Sequence, residues 1–432
     1  MAKTCTSMRV PRSFPLIAFV GLAVAAFGAA PVLADDDDHD SGAVRLIKTV
    51  PIPTTLNALH GFDISWIDPS TQRYYLGDRS NAAVDVVDAK TGTFLKAIKG
   101  GFAGVKFTAS GAGNNDTSGP NGVVVSGHWL FATDAPSRVV TIDLNTDAVV
   151  DSVHTDATST KRADELAYDP ESGTLLVVNN ADDPPFATLI TVDKTTGKLT
   201  PRQRITFDTA HVGFQATNGA EQSVWVKSLR KFFLSIPEIN CTDVTLCGGS
   251  DINGAVVKID PRSTGGVEAV YPIQFCQPAG LTLGPDLDLL VGCSQPFDTE
   301  GKAWSAADAN TAAPISVILD ARTGLTDRAV PGVSGNDEVW FNAGDGRYYL
   351  AARNQPGSPA LGVINARTLK LQQLVPTLNV GGKPNVFPAG TAHSVAVDPH
   401  NDHVFVPLAA NNVFPSCLNG CIAVFGHDAR PR

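Results

Sequence analysis

The sequence is short of basic residues, of aromatic residues and of long helical patterns. Lysine and arginine together number 33 against 43 aspartates and glutamates, and aromatic residues make up 7% of the 432 residues. An acidic chain without a basic stripe is a poor partner for nucleic acid or for an anionic membrane. The modest aromatic content also gives no strip on which sugars or single-stranded bases would stack. Small molecules and proteins remain as the expected partners.

Three common catalytic signatures are missing as well. The chain contains no Gly-x-Ser-x-Gly nucleophile elbow, no phosphate-binding loop and no His-Glu-x-x-His zinc-protease motif. These absences argue against serine hydrolases built on that elbow, against nucleotide-dependent enzymes and against zinc proteases. No nucleotide or organic cofactor is predicted.

The one long apolar run lies at the N-terminus. It spans Phe14–Ala30, follows three basic residues and precedes the small-residue site Val32-Leu33-Ala34. Residues 1–34 are therefore predicted to be a secretory signal. An uncleaved membrane anchor is the alternative, but the run is short and broken by prolines. No later segment is apolar enough to span a bilayer.

Cleavage of this signal leaves a more acidic chain. The formal net charge is -10, and removing a leader with three basic residues and no acid takes it to -13. Residues 35–42 begin Asp-Asp-Asp-Asp-His-Asp and are predicted to be an acidic disordered tail, with a weak cation site as the alternative. We expect a periplasmic or secreted bacterial protein, monomeric and without a membrane span.

The remaining chain carries a repeat. From His393 to Val406 a strand of alternating apolar residues is followed by an Asp-Pro-x-Asn-Asp turn and a second strand. The pattern recurs at intervals of roughly 40–60 residues, which is typical of a β-propeller. Most third strands end in Asp or Asn and enter a Thr-Gly turn, as at Asp88–Gly92, Asp193–Gly197 and Asp320–Gly324. We predict an all-β, seven-bladed β-propeller of four-stranded antiparallel blades over residues 43–428.

The last repeat is one strand short. Its strands fall at His393–Asp398, His403–Leu408 and Cys421–Phe425, and no fourth follows. The isolated strand Ala43–Pro51 has no neighbour of its own near the start of the chain. We predict that it completes the last blade and closes the ring, which removes the exposed sheet edges.

The valine-rich strand running into Asp-x-x-Thr-Gly resembles the YVTN-type propeller repeat, and this likeness covers nearly the whole mature chain. Pro120-Asn-Gly-Val-Val-Val125, followed by Leu130-Phe-Ala-Thr-Asp134, resembles more loosely the SMP-30/gluconolactonase and NHL-type propellers. The resemblance implies the propeller fold but no single activity. Insertions, several of them expected on one face of the disc, lie at Gly101–Gly119, Pro237–Gly254, Ser294–Ala313 and Gln373–Gly390.

Six cysteines follow the signal. An even number in an exported protein indicates disulfides, and six cysteines allow fifteen connectivities. We favour three local pairs. A thiolate metal site is the alternative, but the spacing gives no paired Cys-x-x-Cys units. The favoured pairs are Cys241–Cys247, Cys276–Cys293 and Cys417–Cys421.

Aligned by their turns, the repeats place one polar residue each at the start of the innermost strand, at one mouth of the central channel. These residues are Asp63, Asn121, Asp164, Glu221, Gln277, Asp337 and His393. Glu165 and Glu338 follow two of them, His60 precedes Asp63 by three residues, and Arg353 ends a second strand on the same face. Asp63, Gln277, Glu338 and Arg353 are the predicted ligand-binding residues.

Carboxylate and amide oxygens at one mouth suit a divalent cation, with calcium preferred. Adding His60 and His393 would suit a transition metal better. The SMP-30 resemblance implies a channel cation that activates water, and Asn121 is the matching position. The predicted metal ligands are Asn121, Asp164, Glu221, Asp337 and His393. The alternative is structural: polar residues at a channel mouth are often hydrated or bonded to neighbouring blades.

Three function classes follow. The first is an envelope propeller that binds a small ligand, a cation or a protein partner at the channel mouth. The second is a metal-dependent lactonase or esterase-type hydrolase, with His60, His393 or Glu165 as candidate catalytic residues. The third is a redox or metal-handling protein that uses the histidines. The first is preferred because the repeats carry no recognisable catalytic motif.

Overall fold

The strands of the chain form seven four-stranded antiparallel blades in a ring, as predicted from the repeats. The computed structural model describes residues 42–240, 253–297, 302–308, 313–377, 392–412 and 416–427. The predicted signal, residues 35–41 of the predicted acidic tail and the pair Cys241–Cys247 lie outside the described residues. Within the described ranges no helix is long and apolar enough to cross a membrane.

The strands are numbered in chain order. Blade one consists of β2 (Ser65–Asp68), β3 (Arg73–Asp78), β4 (Ala83–Asp88) and β5 (Thr93–Ile98). Blade two consists of β6 (Val123–Ser126), β7 (Trp129–Asp134), β8 (Arg138–Asp143) and β9 (Ala148–His154). Blade three consists of β10 (Leu166–Asp169), β11 (Thr174–Asn179), β12 (Phe186–Val192) and β13 (Leu199–Thr206). Blade four consists of β15 (Ser223–Val226), β16 (Lys231–Ile236), β18 (Asn253–Ile259) and β19 (Val267–Gln274).

Blade five consists of β20 (Cys276–Leu283), β21 (Asp288–Pro296), β22 (Ile315–Asp320) and β23 (Thr326–Pro331). Blade six consists of β24 (Val339–Asn342), β25 (Arg347–Ala352), β26 (Ala360–Asn365) and β27 (Lys370–Pro376). Blade seven consists of β28 (Ala396–Asp398), β29 (His403–Leu408), β30 (Cys421–Gly426) and β1 (Arg45–Pro51). Outside the blades lie α1 (Thr209–Val212), a pair of short strands, β14 (Gln215–Ala216) and β17 (Ile239–Asn240), and 3-10 turns at Asn115–Thr117, Pro285–Leu287 and Ala306–Asp308.

The hydrophobic core lies between neighbouring blades. The second strands, such as β11 and β25, are buried along their whole length because both faces of each blade are covered. The outermost strands alternate between half-buried and exposed residues, as in β27. Tyr74 of blade one stacks on Phe405 of blade seven, with ring centroids 5.3 Å apart. Contacts of this kind stabilise the ring by burying apolar surface from two blades at once.

The N-terminal strand closes the ring. β1 is the outermost strand of blade seven and pairs antiparallel with β30, from Arg45 opposite Gly426 to Pro51 opposite Cys421. The prediction of closure is therefore confirmed. This pairing, which we call the seam, joins the two ends of the described chain within blade seven.

The turns after the third strands are held by their own aspartates. Asp88 accepts a hydrogen bond from the backbone N–H of Thr91 (2.8 Å), and Asp320 accepts one from Arg322 (2.8 Å). The glycines that follow, Gly92 and Gly324, have φ of 59° and 73°. Glycine adopts this left-handed conformation without strain, which is why the Thr-Gly pattern recurs.

Two of the predicted disulfides are present. Cys276 is bonded to Cys293 across β20 and β21, and Cys417 is bonded to Cys421 just before β30. Two predicted insertions begin later than expected, because Ser294–Pro296 continues β21 and Gln373–Pro376 continues β27. The first insertion folds back on itself through bridges between Gly104 and Gly119 and between Phe107 and Gly113.

Candidate functional site

A cavity of about 350 Å³ lies at one mouth of the central channel. Its lining includes Asp63, Asp164, Glu221 and Asp337, and each of these stands two residues before the innermost strand of its blade. The backbone N–H of each donates to the penultimate residue of the second strand, for example Asp164 to Val178 O (2.7 Å). This shared hydrogen bond holds four side chains from four blades at the same height in the channel.

Three aspartates of the cavity are each paired with an arginine. Arg162 Nη2 lies 2.8 Å from Asp164 Oδ2, and Arg353 Nη1 lies 3.1 Å from Asp337 Oδ2. Arg79 Nη2 donates to Asp63 Oδ2. Each guanidinium is therefore paired with one carboxyl group, and the three pairs form a polar wall.

Arg79 is the most enclosed of the three arginines. Its side chain is 4% exposed, and its Nε donates to Asn121 Oδ1 (2.9 Å) while its Nη1 donates to Asn115 Oδ1 (3.3 Å). Asn121 in turn donates from Nδ2 to Ala163 O (2.7 Å). Both polar atoms of Asn121 are thus engaged in positioning the wall.

Three glutamates of the cavity have no such partner. Glu165, Glu221 and Glu338 line it, and none of them makes an ion pair with another residue in the described part of the chain. Glu165 and Glu338 are each 5% exposed and lie within hydrogen-bonding reach of one another, although they belong to blades three and six. The cavity therefore holds three carboxyl groups in excess of its guanidinium groups.

The two sets of carboxyls differ in acidity. Burial acts to raise the pKa of Asp63 and of Asp337, but Arg79 at the first and Arg353 at the second, with His393 at both, hold each pKa below its usual value. Burial raises the pKa of Glu338 to about 8 and, together with the neighbouring Glu338, raises that of Glu165 well above its usual range.

The pKa values of Asp164 and Glu221 are raised as well, like those of Glu165 and Glu338. Burial raises the pKa of Asp164 to about 7, with Arg162 opposing and Asp63 adding to the rise. Burial and the charges of Asp164 and Asp337 raise the pKa of Glu221 well above its usual range. Near neutral pH the cavity therefore holds protons on carboxyls that would be ionised in water.

Both ring nitrogens of His393 are engaged. Nε2 lies 3.1 Å from Phe62 O, and Nδ1 lies 3.5 Å from Asp337 Oδ2 and 3.9 Å from Asp63 Oδ1. The ring also stacks on Phe62 with centroids 4.7 Å apart. His60 lines the outer part of the same cavity and is exposed. A histidine held on both sides is suited to positioning carboxylates rather than to moving a proton to a substrate.

The side chain of Gln222 links three blades next to the mouth. Gln222, which follows Glu221, accepts through Oε1 from the N–H groups of Leu281 (2.6 Å) and Val339 (3.2 Å). Its Nε2 donates to Val339 O (3.3 Å). One side chain from blade four thus bonds blades five and six, and it fixes the backbone next to Glu221.

The structure places most of the predicted site residues together. His60, Asp63, Asp164, Glu165, Glu221, Asp337, Glu338, Arg353 and His393 line the cavity. Asn121 is fully buried behind the wall and is not part of the lining. Gln277 is not part of the lining either; its Nε2 lies 3.4 Å from Glu238 Oε2.

Arg162, Asn115 and Phe62 line the cavity and were not expected from the sequence. Arg162 stands two residues before Asp164, at a position that carries no basic residue in the other repeats. Asn115 belongs to the first insertion, so no alignment of blades could place it. For Arg162 the available signal in the sequence was a basic residue two positions before an acid predicted to face the channel.

The described side chains of the cavity do not form a metal-binding group. Among the described residues no group of three or more histidine, cysteine, aspartate or glutamate side chains is arranged so that it could hold one. The lining carboxyls face arginines or one another, and Asn121 is engaged on both polar atoms. The described residues of the cavity therefore do not fit a resident metal.

Comparison with known proteins supports the fold alone. No protein-family model and no curated protein matches the chain. Among solved structures, a chain of hydrazine synthase from Kuenenia stuttgartiensis is similar, with a TM-score of 0.60 and 13% sequence identity. The match covers 87% of this chain and 98% of that chain. At this identity it shows a shared propeller fold, and the YVTN and SMP-30 resemblances are not confirmed.

Proposed function

We propose that this chain is an exported β-propeller that binds a small ligand with a positively charged amino group in the mouth of its central channel. The observation that carries the proposal is the excess of three glutamates, Glu165, Glu221 and Glu338, in a cavity whose three arginines are already paired with aspartates. A volume of about 350 Å³ matches a small organic ligand.

An ammonium group supplies a positive charge and N–H donors for the unpaired carboxyl groups of the mouth. Clustered buried carboxyls are costly to ionise together, and a cation between them stabilises the ionised forms and forms charge-assisted hydrogen bonds. Asp164 Oδ1 is covered by protein and accepts no hydrogen bond from any residue the structure describes, which adds to the cost of ionising this carboxyl. Binding of a cation is then linked to release of protons from the cavity.

Amine binding is placed ahead of the hydrolase and redox alternatives for two reasons. The described side chains form no metal-ligand group, and His393 has both ring nitrogens engaged. A divalent cation such as calcium is retained as a competitor in the test. Export is supported by the two disulfides, because disulfides persist in oxidising compartments.

The test is isothermal titration calorimetry of the purified protein with n-butylamine, 1-butanol and calcium chloride at pH 8. We expect the amine to bind with a Kd on the order of 1 mM or tighter. The alcohol, which has the same length but no charge, should give no binding heat. Equal heats from the amine and the alcohol, or none from either, would overturn the proposal, and tight stoichiometric binding of calcium alone would favour the cation alternative.

Two variants locate the site. E165Q/E338Q removes two of the three unpaired carboxyls while keeping their size, and we expect amine affinity to fall at least tenfold. E171Q is the matched control, because Glu171 is an exposed surface residue whose partner is Lys227. An equal loss of affinity in the two variants would show that the amine binds to the acidic surface in general.

A further inference from the structure

A second and larger cavity adjoins the channel mouth. Its volume is about 730 Å³, and Glu221 lines both cavities. The 3-10 turn Asn115–Thr117 lies at the same boundary, since Asn115 lines the mouth and Asp116 lines the second cavity. We call this second cavity the side groove. A ligand in the mouth can therefore extend past Glu221 without leaving a lined surface.

The side groove carries carboxylates, of which only some have partners. Asp116 is paired with Lys161 (2.8 Å), Asp182 accepts from Ser159 Oγ (2.6 Å), and Asp208 accepts from His211. Asp183 is exposed and makes no hydrogen bond or ion pair to any described residue. Besides Glu221 at the boundary with the mouth, Asp183 is thus the groove carboxylate that is free to bind a cationic group, as far as the described ranges extend.

Two further features point to a ligand. Asn180 lines the groove, and its Oδ1 is covered by protein yet receives no donor from the described residues. In the adjoining mouth, the side chain of Asp164 is 4% exposed and its Oδ1 likewise lacks a donor. Buried acceptors without donors are rare because each costs free energy. Both atoms are covered by protein, so neither is counted among the direct contacts of the ligand.

Part of the lining of the side groove is apolar. Ala181, Pro184, Pro185 and Ala216 line it between the carboxylates. Ala181 and Pro184 are half-buried and supply most of this apolar surface, because Pro185 and Ala216 are buried. An aliphatic stem fits such a surface, whereas a second charged or strongly hydrated segment does not.

We infer that the ligand is an elongated aliphatic di- or polyamine. One ammonium group lies among Glu165, Glu221 and Glu338, the methylene stem passes Glu221 and runs along Pro184 and Pro185, and a second ammonium group binds Asp183. This inference rests on the proposed function and specifies its ligand. The overall negative charge of the chain attracts such cations from solution.

Linking two ammonium groups raises affinity because the second contact becomes intramolecular. We therefore expect spermidine, a linear triamine, to bind at least tenfold more tightly than n-butylamine at pH 8 and 150 mM sodium chloride. The added salt suppresses weak attraction to the acidic surface at large. Isothermal titration calorimetry should give one spermidine per chain.

Variants separate the two parts of the site. D183N should abolish the advantage of spermidine over n-butylamine, and E221Q should weaken both ligands because Glu221 belongs to both cavities. E171Q is again the surface control and should keep the full advantage. A tri-lysine peptide, which carries the same ammonium groups on a bulkier backbone, tests a lysine-rich segment as the source of the amines.

The outcomes distinguish the inference from the function on which it rests. Failure of both amines overturns both. Binding of n-butylamine with no gain for spermidine, or a gain that D183N leaves intact, overturns the inference and leaves the mouth as a monoamine site. A tri-lysine peptide that binds more tightly than spermidine overturns the assignment to a free polyamine. Spermidine binding at several sites per chain would show attraction to the surface only.

Discussion

The aspartates of the turns and the carboxyls of the channel mouth use one chemical group in opposite ways. Asp320, in the turn after β22, accepts hydrogen bonds from the N–H groups of Arg322 and Thr323, and these outweigh its partial burial and lower its pKa. Glu338, at the mouth, has no donor but its neighbour Glu165, and burial raises its pKa to about 8. The first carboxyl stabilises the fold, and the second is held in a state the fold does not favour.

The difference lies in where the partners come from. A turn aspartate meets N–H groups two and three residues further along the chain, so its partners are guaranteed by its own repeat. A mouth carboxyl meets side chains from other blades, as Glu165 meets Glu338 across the channel. Unfavourable contacts that the rest of the ring maintains are typical of binding and catalytic sites.

The largest expected effect comes from removing a guanidinium from the wall. R79M leaves Asp63 buried without its main counter-charge, and loss of one partner of a buried pair costs about 3–5 kcal/mol. R73M is the matched control, since Arg73 pairs with the turn aspartate Asp88 near the surface, where a pair contributes roughly 0–1 kcal/mol. Urea unfolding checks both. Similar losses in the two variants would erase the distinction between wall and turn.

The second prediction concerns pH. The pKa of Glu338 is raised in the folded protein to about 8, above its usual value, so its contribution to stability is full below about pH 4.5 and is lost as the pH rises towards 8. The ligand-free protein should therefore become less stable from pH 5 to pH 8.5, by on the order of 2 kcal/mol. Thermal unfolding across this range measures it.

The double variant E165Q/E338Q carries no carboxyl at this position and is the control for the pH effect. Its stability should change less between pH 5 and pH 8.5 than that of the unmodified protein, and it should be the more stable of the two at pH 8.5. A steeper decline in the double variant would contradict the assignment of the raised pKa values to this pair.

The third prediction is that the affinity for the amine increases with pH, whereas the stability of the ligand-free protein decreases. As Glu165, Glu221 and Glu338 lose their protons, the affinity for n-butylamine should increase about tenfold from pH 6 to pH 8.5, since the amine itself stays protonated up to roughly pH 10. Calorimetry at three pH values in buffers of different ionisation enthalpy also reports the protons released. A flat affinity with no proton release would show that the mouth carboxyls are not the amine's partners.

The smallest effect is expected at the turns. D320A removes two hydrogen bonds to the backbone and should cost about 1 kcal/mol in urea unfolding. Because the pKa of Asp320 is lowered in the folded state, this contribution is present above the usual pKa and disappears as the pH falls below about 4. D320A should leave amine binding unchanged, and a change in amine affinity would contradict the separation of turns from mouth.

The sequence predicted the fold well because the fold depends on local patterns. The alternating strands, the Asp-x-x-Thr-Gly turns and the pair Cys417–Cys421 each lie within a short segment, and each could be identified without knowledge of the rest. Closure by β1 followed from counting strands. The positions of Asp63, Asp164, Glu221 and Asp337 at one mouth followed from aligning the repeats.

The site itself was predicted less completely, because side-chain direction and reach across the channel are not local. Gln277 is aligned with the mouth residues, yet β20 begins one residue earlier at Cys276, and its register with β21 shifts between Gln277 and Pro278. That irregularity turns Gln277 towards Glu238. Arg162 and Asn115 enter the cavity from outside the repeat pattern, so no alignment of blades includes them.

Ring closure also has a consequence for the order of events during synthesis. The seam joins β1, among the first strands made, to β30, the last described strand to leave the ribosome. His393 and Phe62, which stack in the mouth, belong to the repeats of blades seven and one. The lining of the mouth therefore cannot be complete before the repeat that contains His393 has been translated. The proposed amine site is thus complete only in a chain that extends at least through blade seven.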